Sequence, residues 1–242
     1  MSRLPIPRFD GWLAFARREI GLIAAFLGVA FLLWAFVSIA ASVSEGDTRA
    51  FDVGVANALH TNGHVDPIGP HWFEERVFEL TALGSIMVVA LVTVSAAGFL
   101  LVVRKYSAAL LLLVAVIGGA GLSESLKLGI ARARPDLIPI NMDISGMSFP
   151  SGHATLAAVC YLTIAALLAH EQQKRRVKAY VIFAAVLVTL MVGLSRIYLG
   201  VHWATDVLGG WCLGAAWAIL CWNVAYWLER RRGARQAEEQ QN

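Results

Sequence analysis

Residues 20–43 read Ile20-GLIAAFLGVAFLLWAFVSIAAS-Val43, a stretch without one charged side chain. A helix rises about 1.5 Å per residue, so about 20 apolar residues cross the roughly 30 Å hydrocarbon layer of a bilayer. Within lipid every backbone N–H and C=O needs a partner inside the segment, and a helix supplies it. The stretch is long, lies some distance from residue 1 and carries no small-residue cleavage site. It therefore predicts a retained spanning helix rather than a signal peptide.

Five further runs follow. Leu80–Val103 is also uncharged, and Ser107–Leu126 stays apolar until Glu124; Ala154–Ala169, Ala179–Leu194 and Val207–Leu228 complete the set. With 58% hydrophobic and 15% charged residues, the chain is too apolar for a soluble domain, where about a quarter would be charged. The expectation is an all-α, integral membrane six-transmembrane-helix bundle forming a single domain over 1–242. Cys160, Cys212 and Cys221 each fall inside an apolar run, which argues against a disulfide framework or a thiolate metal site.

Basic residues give the bundle a direction. Arg3, Arg8, Arg17 and Arg18 precede the first run, and Arg104 and Lys105 lie between the second and third. Lys174, Arg175, Arg176 and Lys178 lie between the fourth and fifth, and Arg230, Arg231, Arg232 and Arg235 follow the sixth. These alternate positions share one side, which the positive-inside rule makes cytoplasmic, with both termini there. Arg49, Arg76, Lys127, Arg132, Arg134 and Arg196 are left on the outer side against that bias. Residues 44–79 form an outer segment broken by Pro67, Gly69 and Pro70, with Phe51, Val55, Leu59, Trp72 and Phe73 suited to the interface.

The outer loops also concentrate chemistry. Lys127-Leu-Gly-Ile-Ala-Arg-Ala-Arg134-Pro135 leaves the third helix, Pro150-Ser151-Gly152-His153 enters the fourth, and Ser195-Arg196 through His202 to Asp206 joins the fifth to the sixth. Helix parity brings all three to one face. Lys127, Arg134 and Arg196 offer a compact charge and two planar forks for an anion with several oxygens. Ser151 and Gly152 stand at a helix N-terminus, where free N–H groups favour phosphate. His202 and Asp206 are four apart and share a helical face. Such a set suits phosphoryl transfer by positioning and charge stabilisation, with no metal and no cofactor.

The pattern Lys-x6-Arg-Pro, Pro-Ser-Gly-His and Ser-Arg-x5-His-x3-Asp resembles the tripartite signature of the type 2 phosphatidic acid phosphatase superfamily, which also includes vanadium haloperoxidases. Every signature position between 127 and 206 is filled, and the resemblance extends over about 80–228. It implies a nucleophile at His202 made more basic by Asp206, and a proton donor to the leaving oxygen at His153. It also implies phosphate binding by Lys127, Arg134, Ser151, Gly152 and Arg196, and a phosphohistidine intermediate. Arg132 is expected at the lipid head group and Ser195 in a structural role. The domain then divides into a cytoplasmic N-terminus (1–19), a periplasmic segment (44–79) that covers or flanks the site, a phosphatase core (80–228) and a cytoplasmic tail (229–242).

The function implied is hydrolysis of a membrane lipid phosphate or pyrophosphate, of the phosphatidic acid, phosphatidylglycerol phosphate or undecaprenyl pyrophosphate type, at the outer face of a bacterial inner membrane. Partners are the lipid substrate and the bilayer, not nucleic acid; the sequence is silent on oligomeric state. Alternatives are a lipid phosphotransferase, a lipid A phosphatase, a haloperoxidase, and outside enzymes an anion transporter or silent lipid-binding protein. Glu124 and Lys127, three apart, are expected to pair. His60, His64, Asp66 and His71 are too irregularly spaced to favour a zinc site. Trp203, Trp211, Trp217, Trp222 and Trp227 are expected mostly as lipid contacts, and Gly118, Gly119 and Gly121 as helix-packing positions.

Overall fold

The computed structural model describes residues 9–61, 66–135 and 146–239. Its helices are α1 (Phe9–Glu45), α2 (Arg49–Leu59), α3 (His71–Thr81), α4 (Ile86–Val102), α5 (Tyr106–Ile130), α6 (Gly152–Glu171), α7 (Arg175–Tyr198) and α8 (Ala204–Glu239). A two-residue antiparallel pairing, His60–Thr61 with Asp66–Pro67, sits between α2 and α3. Ile23–Glu45, α5, α6, α7 and Ala204–Leu228 are each long and apolar enough to cross a membrane. Residues His71–Gly84 and Ile86–Val102 are together long and apolar enough for a sixth span but bend by 49° at Ser85, the form of a broken span or a re-entrant loop.

That bend corrects the continuous run expected from Leu80 to Val103. The chain tightens into a 3₁₀ turn at Ala82–Gly84, and Ser85 restarts the helix by accepting a hydrogen bond from Val88 N at 3.3 Å. A serine at that position satisfies an N–H that a new helix start would leave unpaired. Hydropathy alone does not register the break, because Gly84 and Ser85 interrupt no apolar run.

Helix α6 is the centre, enclosed by α5, α7 and α8, with Ala154, Ala157, Ala158 and Val159 fully buried. The crossing with α8 depends on Gly210 and Gly214, one turn apart. A Cβ on Gly214 would stand 2.6 Å from Thr155 O, and one on Gly210 would stand 2.8 Å from Ser151 O. Backbones approach this closely only where a side chain is missing, the usual device for packing helices in lipid. Gly118 and Gly119 similarly face Trp217 and Val159, whereas nothing crowds Gly121. Helix α1 lies along α8. Outward, Phe26, Trp34, Met87, Ile117 and Phe183 are exposed, an apolar band that only a lipid environment accommodates.

Lys105, before α5, forms an ion pair with Glu171 at the end of α6. The basic turns around Lys105 and Lys174 therefore meet at one end of the bundle. The other ends of α5, α6, α7 and α8 converge on the far side.

Two expectations about aromatic residues change. Trp211 Nε1 donates to Thr189 O at 3.1 Å, and Trp217 Nε1 donates to Ala115 O at 2.8 Å. These half-buried rings also tie α8 to α7 and α5, because an indole N–H away from water needs a partner and a helix carbonyl can supply it. Trp227 is half exposed, as expected of a lipid contact.

Candidate active site

At the far end the three sequence clusters meet. Helix α5 stops because Ala131 adopts a left-handed conformation (φ 50°) and its N–H returns to Lys127 O at 3.0 Å. That turn sends 131–135 across the bundle end. Ser151 N donates to Asp206 O at 3.0 Å, joining the start of α6 to the first turn of α8. Val201 N and His202 N both return to Arg196 O, at 3.2 and 3.3 Å, and fold the α7–α8 connection tightly over the site.

His202 is buried and its ring is addressed from both sides. Nδ1 lies 3.4 Å from Asp206 Oδ2, and Nε2 lies 3.2 Å from Arg134 Nη1. A guanidinium only donates, so Nε2 is the accepting nitrogen and Nδ1 carries the proton toward the carboxylate. Burial holds the imidazole at a pKa of about 4, the nearby Arg134 and Arg196 charges pushing the same way and Asp206 opposing them. At neutral pH the ring is therefore uncharged, and its Nε2 lone pair is held by Arg134 Nη1 until another group takes that donor.

Asp206 is held by several donors. Oδ1 accepts from Arg132 Nη1 at 2.6 Å, while Oδ2 accepts from Ser148 Oγ, Trp203 N at 2.9 Å and the longer His202 contact. Sequence reading missed Ser148 and the Trp203 N–H, neither of which carries a chemical signal by residue type. It also placed Arg132 at the head group, and the structure corrects this. Arg132 bridges Asp206 and Asp52, and lies 5.7 Å from the centre of the Trp203 ring, because two buried carboxylates demand a shared cation.

Arg134 is anchored through Nε to Gly146 O at 3.1 Å and through Nη1 to Val201 O at 2.9 Å. Burial lowers its pKa, although Asp206 pulls it back up. Lys127 pairs with Glu124 at 2.6 Å, as the spacing suggests. A Cβ on Gly152 would be 3.1 Å from Lys127 Nζ, so the absent side chain lets the ammonium reach the start of α6. Arg196 is buried and donates to Thr81 Oγ1 at 3.2 Å, while its Nε and the Ser151 Oγ are buried without a protein partner. His153, in the first turn of α6, stands among Arg196, His202, Lys127 and Arg134. Ser195 Oγ returns to Val192 O at 2.6 Å and takes no part in the cluster.

The cluster can receive a tetrahedral anion. Lys127, Arg134 and Arg196, the unpartnered Ser151 Oγ and the free N–H groups at the α6 N-terminus gather about the two imidazoles of His153 and His202. Among the described residues no three His, Cys, Asp or Glu side chains gather as a metal site would require. His64, considered for zinc, lies outside the described residues.

The profile of the PAP2 superfamily matches residues 108–230. Phosphatidylglycerophosphatase B of Bacillus subtilis is 34% identical over 181 residues, which cover 74% of this chain and 85% of that protein. The crystal structure of a transmembrane PAP2-type phosphatidylglycerolphosphate phosphatase from Bacillus subtilis superposes with a TM-score of 0.72 at 31% identity, covering 80% of this chain and 93% of the other. The lipid A 1-phosphatase of Porphyromonas gingivalis is 35% identical over 108 residues, 45% of this chain and 21% of that protein.

Proposed function

This chain belongs to the PAP2 superfamily, and from its site we infer that it is a membrane lipid phosphatase working through a covalent phosphohistidine. The observation that carries the reading is the geometry at His202, whose Nδ1 faces Asp206 Oδ2 at 3.4 Å while Nε2 lies 3.2 Å from Arg134 Nη1, beside His153 and Arg196.

The steps follow from those positions. Lys127, Arg134, Arg196, Ser151 Oγ and the N–H of Gly152 bind the phosphoryl oxygens. His202 Nε2 attacks phosphorus, forming the N–P bond as the ester P–O bond breaks. His153, which takes up a proton once the negative phosphate offsets the surrounding cations, gives that proton to the leaving lipid oxygen. Asp206 stabilises the charge that grows on the imidazole without taking its proton. Water then attacks phosphorus, passing a proton to His153, and the N–P bond breaks to free inorganic phosphate. Each cation interacts most strongly where negative charge spreads in the transition state.

Similarity over most of both chains to a phosphatidylglycerophosphatase favours a glycerophospholipid phosphomonoester as substrate. Placement in a bacterial plasma membrane, with both termini cytoplasmic and the site on the outer face, is supported by the basic turns around Lys105 and Lys174 lying opposite the site.

The test is phosphate release from a panel of lipid phosphates in detergent with excess chelator, wild type beside His202→Ala. Chelator-resistant release that disappears in the variant, with an acid-labile phosphoenzyme trapped only in the wild type, supports the mechanism. Turnover that survives His202→Ala sinks it. A phosphorylated lipid product in place of free phosphate identifies a phosphotransferase.

A further inference from the structure

Asp52 sits on α2, outside the spans, yet is only 1% exposed. A carboxylate so buried persists only with partners. Those partners come from far along the chain. Asp52 Oδ2 accepts from Arg132 Nη2 at 2.6 Å and from Thr205 Oγ1 at 2.7 Å, and Oδ1 accepts from Thr205 N at 3.0 Å. Arg132 Nη2 also reaches Thr48 Oγ1 at 3.2 Å, and its Nη1 spans Thr205 Oγ1 at 2.8 Å and Asp206 Oδ1 at 2.6 Å.

In the proposed reaction Asp206 has to support positive charge on His202. A guanidinium committed wholly to Asp206 would drain that support. Arg132 is instead divided between two carboxylates. We infer that Asp52 is a positioning residue for the reaction: it draws Arg132's charge toward α2 and fixes its fork, leaving Asp206 aimed at His202 and negative enough to make Nε2 basic. Helix α2 is thereby part of the catalytic apparatus, since it alone delivers this carboxylate. The inference rests on the phosphohistidine reading above.

The bland alternative is that Asp52 and Arg132 merely staple α2 to the bundle. Charge separates the two. The ionisable groups around the His202–Asp206 pair are Asp52 on α2, Lys127 on α5, Arg132 and Arg134 on the connection after α5, His153 on α6 and Arg196 on α7. Wild-type Asp52 and Arg132 together are neutral. Asp52→Asn leaves a net positive charge beside Asp206, Arg132→Met leaves a net negative one, and the double variant is neutral again.

The experiment measures kcat, KM and the acid limb of kcat/KM on one lipid phosphate in detergent, for the wild type, these three variants and His202→Ala. Asp52→Asn is expected to lower kcat about tenfold with KM little changed, and to move the acid limb down by roughly half a pH unit. Arg132→Met moves the limb up, and the double variant returns it toward wild type. If His202→Ala is silent while the limb stays fixed in every Asp52 and Arg132 variant, the inference fails and the phosphohistidine reading stands. If His202→Ala turns over, that reading fails first. Should Asp52→Asn not fold, the comparison of Arg132→Met with the double variant decides, and coincident limbs overturn the inference.

Discussion

Gly84 lies directly against His153: a Cβ built on it would stand 3.0 Å from the His153 carbonyl oxygen, 3.2 Å from its Cβ and 2.4 Å from Val192 Cγ1. The bend in the second span is thus the wall on which the proposed proton donor rests. Thr81, just before the same turn, and Leu83, within it, receive hydrogen bonds from Arg196 Nη1 at 3.2 Å and Tyr161 Oη at 2.7 Å.

Gly84→Ala should push His153 away from the leaving oxygen. We expect kcat on a lipid phosphate to fall about ten- to a hundredfold, within the range that general acid catalysis contributes. An aryl phosphate such as p-nitrophenyl phosphate, whose leaving group needs little protonation, should lose much less. Equal losses on both substrates would show that the bend serves stability and not the acid.

The acid limb of wild-type kcat/KM should lie near pH 4 and not near 6.5. Only neutral His202 can attack, and burial holds its pKa at about 4. Activity should therefore persist as pH falls below 6.5 and vanish through about 4. The unfolded chain binds that proton at a higher pH, so stability also declines as pH falls across the same interval. Profiles on substrates with different phosphate pKa values separate the enzyme's limb from the substrate's. A limb near 6.5 that does not follow the substrate would mean His202 is not held neutral.

Arg134→Lys should be far from conservative. One guanidinium reaches Gly146 O, Val201 O and His202 Nε2, a set of directions that an ammonium on a flexible stem does not match. Loss of a charge-assisted hydrogen bond or two, about 2–3 kcal/mol, predicts a fall in kcat/KM of about two orders of magnitude. Steady-state kinetics within tenfold of wild type would refute this.

Gly214→Ala tests the fold instead of the site. Its Cβ would meet Thr155 O at 2.6 Å, so α6 and α8 must separate. Overpacking of this kind costs about 1–3 kcal/mol. The melting temperature in detergent should drop, and an unchanged one would show that the crossing relaxes freely.

Much of the architecture was legible because spanning segments announce themselves locally. The run from Ile20 to Val43 needs no tertiary information to be assigned to a helix. Lys127, Arg134, Ser151, His153, Arg196, His202 and Asp206 were legible as a group because their spacings repeat a known signature on loops that parity puts together. Asp52, Thr81, Gly84 and Ser148 were not legible, since each belongs to a segment whose local pattern carries no chemistry. Arg132 was visible but misassigned, because a basic residue at a helix end looks the same whether it meets lipid or a buried carboxylate 80 residues away.

The sequence alone thus determined five of the spans and the residue types gathered at one end, which follow from hydropathy and spacing along the chain. Only the tertiary structure decided the bend at Gly84, the inward turn of Trp211 and Trp217, and the sharing of Arg132 between Asp52 and Asp206. Those depend on which backbones approach closely and which buried polar groups must find each other, and neither condition is written in any local stretch.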